Sequence, residues 1–186
     1  MFRFEIKITE ADFYQFNKFH LFNTEQTKKQ VRNLRIIFPV MFLVMWLYPL
    51  VISDFDLTEF IARGIVLVPA ALFFALGAKE FVWRITKRSI AKSVKSGSKL
   101  FSTDSVLEFG ENGITETTPD TKSEHGYIVV ENIYLVEGRI FYIYINALQA
   151  YILPVSAFSS AEQYNSFLGF IESKTGKKIT VVNGKR

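Results

Sequence analysis

Two long apolar runs, residues 36–53 and 64–78, flank the short acidic segment 54–63 and constrain everything else the chain can do. The first run has 18 uncharged residues and the second 15, lengths of about 27 Å and about 22 Å as helix, against a hydrocarbon core of about 30 Å. The second lengthens to residues 60–78 when Arg63 snorkels to the near interface, which leaves Phe81, Val82 and Trp83 at the far one. The pattern predicts a membrane hairpin over 36–83, with helices at about 36–53 and 60–83 and an outside loop at 54–59. A soluble protein with two core helices apolar all round would share the runs. It would not need the charged flanks or the interfacial Trp46, Tyr48 and Trp83. Pro39, Pro49 and Pro69 are compatible with spanning, because membrane helices tolerate proline better than soluble ones. The first run begins at residue 36 with no small-residue cleavage site before the second, so it does not read as a signal peptide.

Orientation follows from the flanks. Lys28, Lys29, Arg32 and Arg35 precede the first run and Lys79, Arg84, Lys87, Arg88, Lys92 and Lys95 follow the second, whereas the loop offers Asp54, Asp56 and Glu59 with Arg63 alone. Basic residues concentrate on the cytoplasmic side, so both termini are expected in the cytoplasm. Gly64, Ala71, Ala75 and Ala78 recur at intervals near four on the second helix and would let the first approach closely.

The net charge of +4 and pI near 9.2 arise beside the membrane, where lysine and arginine accumulate, so nucleic acid is not expected as a partner. Zero cysteines exclude a disulfide framework, thiolate metal sites and a cysteine nucleophile. His20 and His125 have no ligand-type neighbour at metal spacing beyond Glu124, and both are expected at the surface.

The chain opens with Phe2, Phe4, Ile6 and Ile8 alternating with Arg3, Glu5 and Lys7, a strand with one apolar face. Thr9 with Asp12 forms a capping box, and Phe13, Phe16, Phe19, Leu21 and Phe22 give the following helix its aromatic stripe; together they make an N-terminal segment over 1–35. Beyond the hairpin, Arg84, Arg88, Lys92, Lys95 and Lys99 fall on one side of a juxtamembrane helix in 84–100, which is expected to end near Ser96–Ser98. Arg84, Arg88, Lys92 and Lys95 are the candidate contacts for anionic lipid headgroups, at about 1 kcal/mol per basic residue near the surface; the same stripe would also set topology.

From residue 105 the period changes to two. Strands are expected at 106–109, 114–118, 127–130, 133–137, 139–145 and 150–153, with a Gly110–Gly113 turn, a polar loop at 119–126 and Pro154 as a stop. Ser159 with Glu162 reads as a capping box opening a helix that turns Tyr164, Phe167, Leu168 and Ile171 inward and stops at Gly176; residues 177–186 read as a basic, frayed tail. A strand meander closed by a helix is the order of pleckstrin-homology-like domains. The chain is thus expected to be an α+β membrane protein whose cytoplasmic β domain, 101–176, is completed by the N-terminal strand. That strand needs burial worth about 1.5–3 kcal/mol per large apolar side chain and has no other sheet to join.

The E-N-G-I turn at 111–114, the I-x-Y-I-Y-I strand at 140–145 and the A-Y-I-L-P-x-x-A-F exit at 150–158 resemble the YcxB-like family of small bacterial membrane proteins, and the order of elements does so over nearly the whole chain. Two positions depart from the family pattern: Tyr127 stands where the family has tryptophan, and Val155 where it often has lysine, so any contact made by that lysine is lost here. The family carries no established activity. The resemblance therefore implies architecture and a bacterial inner-membrane location.

No phosphate loop, G-x-S-x-G, H-E-x-x-H or paired-carboxylate motif is present, and Glu108, Glu111, Glu116 and Glu124 are expected to be solvated. Neither an enzyme nor a cofactor nor a metal is expected. The expected role is a membrane-tethered interaction module that binds a protein partner or membrane lipid, with a protein favoured because the first hairpin turn, Glu111-Asn112, carries no base. An immunity or inhibitor protein against a bacterial toxin is the alternative, and self-association is left open.

Overall fold

In the computed structural model, which describes residues 1–51, 56–95 and 104–183 (the side chains of 25, 26, 93 and 94 apart), the N-terminal alternation becomes strand β1, Phe2–Lys7. Phe4 and Ile6 are buried and Arg3, Glu5 and Lys7 exposed, as a one-sided strand requires. The chain divides into two units: Met1–Phe16 with Lys99–Arg186, and Asn17–Ser98.

In the first unit β1 pairs antiparallel with β2 (Asp104–Phe109), Phe2 opposite Phe109 and Lys7 opposite Asp104, across about 100 residues of sequence. The strand expected to complete the sheet does so. Strands β3 (Gly113–Thr117) and β4 (Lys122–Gly126) follow by antiparallel pairing to give the order β1-β2-β3-β4. The second sheet has the order β7-β6-β5-β8, from β5 (Asn132–Val136), β6 (Ile140–Tyr144), β7 (Ala150–Pro154) and β8 (Ile179–Val182). The β5–β6 turn puts Glu137 at φ 53 and Gly138 at φ 65. These two residues are the centre of a turn that Arg139 N–H closes on the Val136 carbonyl at 2.9 Å, and their positive φ values match the twist of the flanking strands. Both sheets and helix α4 (Ala161–Thr175) share one core that includes Phe4, Leu107, Phe109, Ile133, Phe141, Ile143, Leu153, Phe167 and Ile171.

Four expectations for this unit are corrected. Residues 122–126, read as loop, form β4: an edge strand with Lys122 and Glu124 outward and Ser123 and His125 inward shows no apolar alternation. Tyr127–Val129, read as strand, is a 3-10 turn closed by Val130 N–H donating to the Tyr127 carbonyl at 3.1 Å, because its buried residues Tyr127 and Val130 are spaced by three and Ile128 between them is 95% exposed. The α4 cap is Ser160, one residue later than expected. Its hydroxyl accepts from Gln163 N–H at 3.1 Å, and Gln163 Oε1 accepts from Ser159 N–H at 2.7 Å, so glutamine, not Glu162, closes the box.

The tail is not frayed where it is described. Gly176, at φ 65, ends α4 as expected, and the Glu172 carboxylate then accepts the Ile179 N–H at 2.9 Å and pairs with Lys178 at 3.3 Å. These contacts hold the Glu172 carboxyl below its ordinary range, the Ile179 N–H contributing most. They turn the chain into β8, which pairs parallel with β5 from Ile133–Ile179 to Val136–Val182. Residues 184–186 lie outside the described residues.

Helix α1 (Glu10–Asn23) starts at the expected capping box: Thr9 N–H donates to Asp12 Oδ2 at 2.9 Å and Asp12 N–H to Thr9 Oγ1 at 3.2 Å. Within the first unit its Phe16 ring lies 5.2 Å from that of Tyr142.

The second unit contains α2 (Glu25–Leu47), a 3-10 turn at Tyr48–Leu50, and α3 (Leu57–Lys95). Helix α2 begins 11 residues before the apolar run at 36 and gives way at Leu47 to the turn that contains Pro49. Asp56 caps α3, its carboxylate accepting the Thr58 N–H at 2.7 Å. Apolar span and basic segment, expected as two helices, are one helix of 39 residues, since no Gly or Pro interrupts 78–95. Expectations for 52–55, for the end near Ser96–Ser98 and for Lys99 fall outside the described residues. The pair runs antiparallel: Phe38 stacks on Phe74 at 4.7 Å, Trp46 stacks on Phe60 at 5.0 Å, and Trp46 Nε1 donates to the Phe60 carbonyl at 3.1 Å. The small residues serve as expected: Ala71 and Ala78 are buried, and Trp46 lies so close over Gly64 that a Cβ there would meet its Nε1 at 2.7 Å. Both helices are long and apolar enough to cross a membrane.

Candidate functional site

The inner face of the first sheet changes character along its strands. Phe4, Leu107, Phe109 and Ile114 are core, but two residues along from Leu107 and from Ile114 on the same face come Ser105 and Glu116, and β4 adds Ser123 and His125. Register sets Glu116 opposite Ser123 and Ile114 opposite His125. Tyr151 of β7, 4% exposed, reaches this end of the core, and its hydroxyl lies 2.6 Å from His125 Nδ1. Ser105 hydrogen-bonds the Glu116 carboxylate and Ser123 the Tyr151 phenol. Ser105 also lines a cleft of about 600 Å³ at the ends of β1, β2 and β3, with Ile6, Thr117 and Thr118 among its walls.

Burial raises the Glu116 carboxyl above its ordinary range, against a smaller opposing pull from Ser105 and His125, and pushes the Tyr151 phenol up to about 12. The His125 imidazole and the Tyr151 phenol share a hydrogen bond that can hold or pass a proton, and the Glu116 carboxylate lies near enough to interact electrostatically with both. Each is also bonded inside the cluster, as a network that fixes strand register would be. His125 and Glu116, expected in solvent, are half-buried here, because only the pairing of β3 with β4 and the reach of β7 bring them together. His20 is half-buried as well, its imidazole shifted down by desolvation.

A pH-dependent result follows. A raised carboxyl binds its proton more tightly when folded, so its stabilisation is present below the unfolded value near 4.5 and is lost as pH rises through the native one. Glu116→Gln, which mimics the protonated form, is expected to raise the thermal midpoint of the first unit at pH 7 and to leave it unchanged at pH 4. A midpoint lowered equally at both pH values would refute this.

The candidate lipid contacts Arg84, Arg88, Lys92 and Lys95 all lie on α3 and are all exposed. At 100° per residue they occupy an arc of about 80°. Tyr127, in the family's tryptophan position, is buried and donates its hydroxyl to the Gly110 carbonyl at 2.8 Å, tying down the β2–β3 turn. Val155, in the lysine position, packs against the core. The sheets end in edge strands β1 and β4, and β7 and β8; on β8, Thr180 and Val181 are exposed. Among the described residues, no three His, Asp or Glu side chains stand close enough to hold a metal ion.

The molecule is therefore an α+β chain in which a two-sheet unit is combined with a pair of long apolar helices. Residues 109–171, about a third of the chain, match the model of the YcxB-like protein family, the family that the sequence resembles. The match runs from the end of β2 to Ile171 of α4; it leaves out β1, β8 and the helix pair. No curated protein and no solved structure matches the chain.

Proposed function

We propose that the chain is a bacterial inner-membrane protein, anchored by α2 and α3 with both termini in the cytoplasm, whose two-sheet unit is a pleckstrin-homology-like, non-enzymatic module for binding a protein partner. The observation that carries the anchor is exposure. The apolar windows of the two helices are 0% and 6% buried, with Ile65 69% and Leu76 74% exposed. A core helix of a soluble protein is mostly buried, and so large an apolar surface calls for lipid. The basic flanks support the orientation. Four strands, three more antiparallel strands and a closing helix support the pleckstrin-homology-like reading.

A protein partner is favoured over lipid for the β unit because the β2–β3 turn carries Glu111 and Asn112 and no base. Edge strand β8, with β-branched Thr180 and Val181 both exposed, suits strand addition.

A C-terminal alkaline phosphatase fusion is expected to be inactive, and the corresponding fluorescent-protein fusion bright. A photo-crosslinker at position 181 should give one discrete heavier adduct in cells, abolished by Thr180→Pro. An active phosphatase fusion would overturn the orientation, and no adduct at 181 would overturn the edge as the binding surface.

A further inference from the structure

In the second unit, the last turn of α1 and helices α2 and α3 border an open cleft of about 550 Å³ with four bases on its wall, Lys28, Arg32, Arg35 and Lys79, and no carboxylate among the described residues that line it. Volumes of this size hold small ligands. The rest of the lining is apolar and includes Phe22 and Ile36. Lys28, Arg32 and Arg35 stand at i, i+4 and i+7 of α2, a spacing that puts them on one side of the helix.

Two of the bases are positioned by neighbours rather than by counter-ions. Arg35 Nε donates to the Ala75 carbonyl of α3 at 2.9 Å, a bond that does not use its terminal nitrogens. Lys79 Nζ lies 4.7 Å from the centroid of the Phe22 ring, which itself lies 6.4 Å from that of Trp83. Arg32, Arg35 and Lys79 are like charges around one cleft and repel, and an anion between them removes that cost.

The depth identifies the anion. Arg35 immediately precedes the apolar run of α2 and Lys79 immediately follows that of α3, so the bases sit where the apolar spans begin. Ile36 and Ala75, one step deeper, carry the cleft into the apolar surface. A ligand that satisfies both parts has a phosphate and an alkyl chain.

We infer that this cleft binds the phosphate of an anionic phospholipid, with Arg32, Arg35 and Lys79 on the headgroup and the acyl chain leaving past Ile36. The inference rests on the membrane reading above. It concerns a site separate from the exposed stripe at Arg84, Arg88, Lys92 and Lys95, and basic pockets between membrane helices on the cytoplasmic side are suited to such headgroups.

The test uses the full chain purified in mild detergent. Retained lipid is read by native mass spectrometry after addition of phosphatidylglycerol or phosphatidylcholine, and in parallel with glycerol 3-phosphate or inorganic phosphate. Phosphatidylglycerol adducts are expected on the wild type. The triple variant Arg32→Gln, Arg35→Gln, Lys79→Gln should lose them by roughly tenfold or more. A charge-matched control, Lys29→Gln, Lys87→Gln, Lys122→Gln, should keep them.

Equal loss in both triple variants would reduce the effect to net charge and overturn the site. Binding of phosphatidylcholine as strong as that of phosphatidylglycerol, or of the soluble phosphates as strong as the lipid, would overturn the anionic lipid as ligand. Alkaline carbonate extraction separates the two levels. A wild-type chain that leaves the membrane in carbonate defeats the anchor itself. A chain that stays, but whose triple variant binds phosphatidylglycerol like the wild type, defeats only the cleft.

Discussion

Phe4→Asp is expected to unfold the two-sheet unit, although residue 4 lies about 100 positions from the strand it joins. Phe4 is 1% exposed and sits opposite Leu107 in the β1–β2 ladder. Its ring packs 4.7 Å from that of Phe158 and 5.5 Å from that of Phe167, which brings β1 into contact with the segment after β7 and with α4. Deleting such a ring alone removes about 3–5 kcal/mol. A carboxyl in its place must stay desolvated or protonate, which adds at least ~1 kcal/mol. The sum is comparable with the whole stability of a small domain, about 5–15 kcal/mol. Pulse proteolysis of the full chain in detergent measures it: cleavage between residues 104 and 182 should appear without denaturant in the variant and not in the wild type. Glu5→Gln, one residue along on the exposed face, should leave the pattern unchanged. The coupling of β1 to this unit would be disproved by a Phe4→Asp chain as resistant as the wild type. The surface pairs beside it, Arg3 with Glu108 at 3.1 Å and Lys7 with Asp104 at 3.9 Å, are exposed and contribute at most about 1 kcal/mol each.

Phe167→Ala should be nearly as severe, at about 3–5 kcal/mol. Phe167 of α4 is fully buried, and five rings converge on it: Phe2 and Phe4 at 5.5 Å, Phe109 at 4.9 Å, Phe141 at 5.9 Å and Phe158 at 5.3 Å. All five pairs are edge-to-face, an arrangement worth about 0.5–1.5 kcal/mol beyond the area buried. One side chain thus holds α4 against both sheets, and its removal leaves a hole bounded by rigid rings that cannot collapse into it. Phe167→Leu, which keeps most of the volume, should recover more than half of the loss. A urea midpoint shifted equally by Leu and Ala would show that volume is not what the site supplies. Phe170, four-fifths of a turn further on, is half-buried, and truncating it should cost less.

Features of this chain that depend on near neighbours in sequence were readable from it. The apolar runs give α2 and α3, the Thr9–Asp12 box starts α1, Gly176 ends α4, and the Phe2–Ile8 alternation declares a strand that must be covered. Each is a local rule, in which period, cap or turn chemistry operates over a few residues. The covering requirement implied that β1 joins the C-terminal sheet, but its place against β2, Phe2 opposite Phe109, is a matter of packing.

Tertiary structure alone decided the rest. Strand β4 is polar because it is an edge, and β8 exists because Glu172 captures the Ile179 N–H and β5 offers a free side, so neither announces itself by period. Glu116, His125 and Tyr151 are scattered in sequence, and the first two look solvated one at a time; the β3–β4 register and the approach of β7 bring the three together as one cluster. Arg35 and Lys79 lie 44 residues apart and read as topology signals until antiparallel packing of α2 on α3 sets them around a single cleft. Burial and electrostatic coupling depend on distance in space, and the sequence carries that distance only where its elements are local.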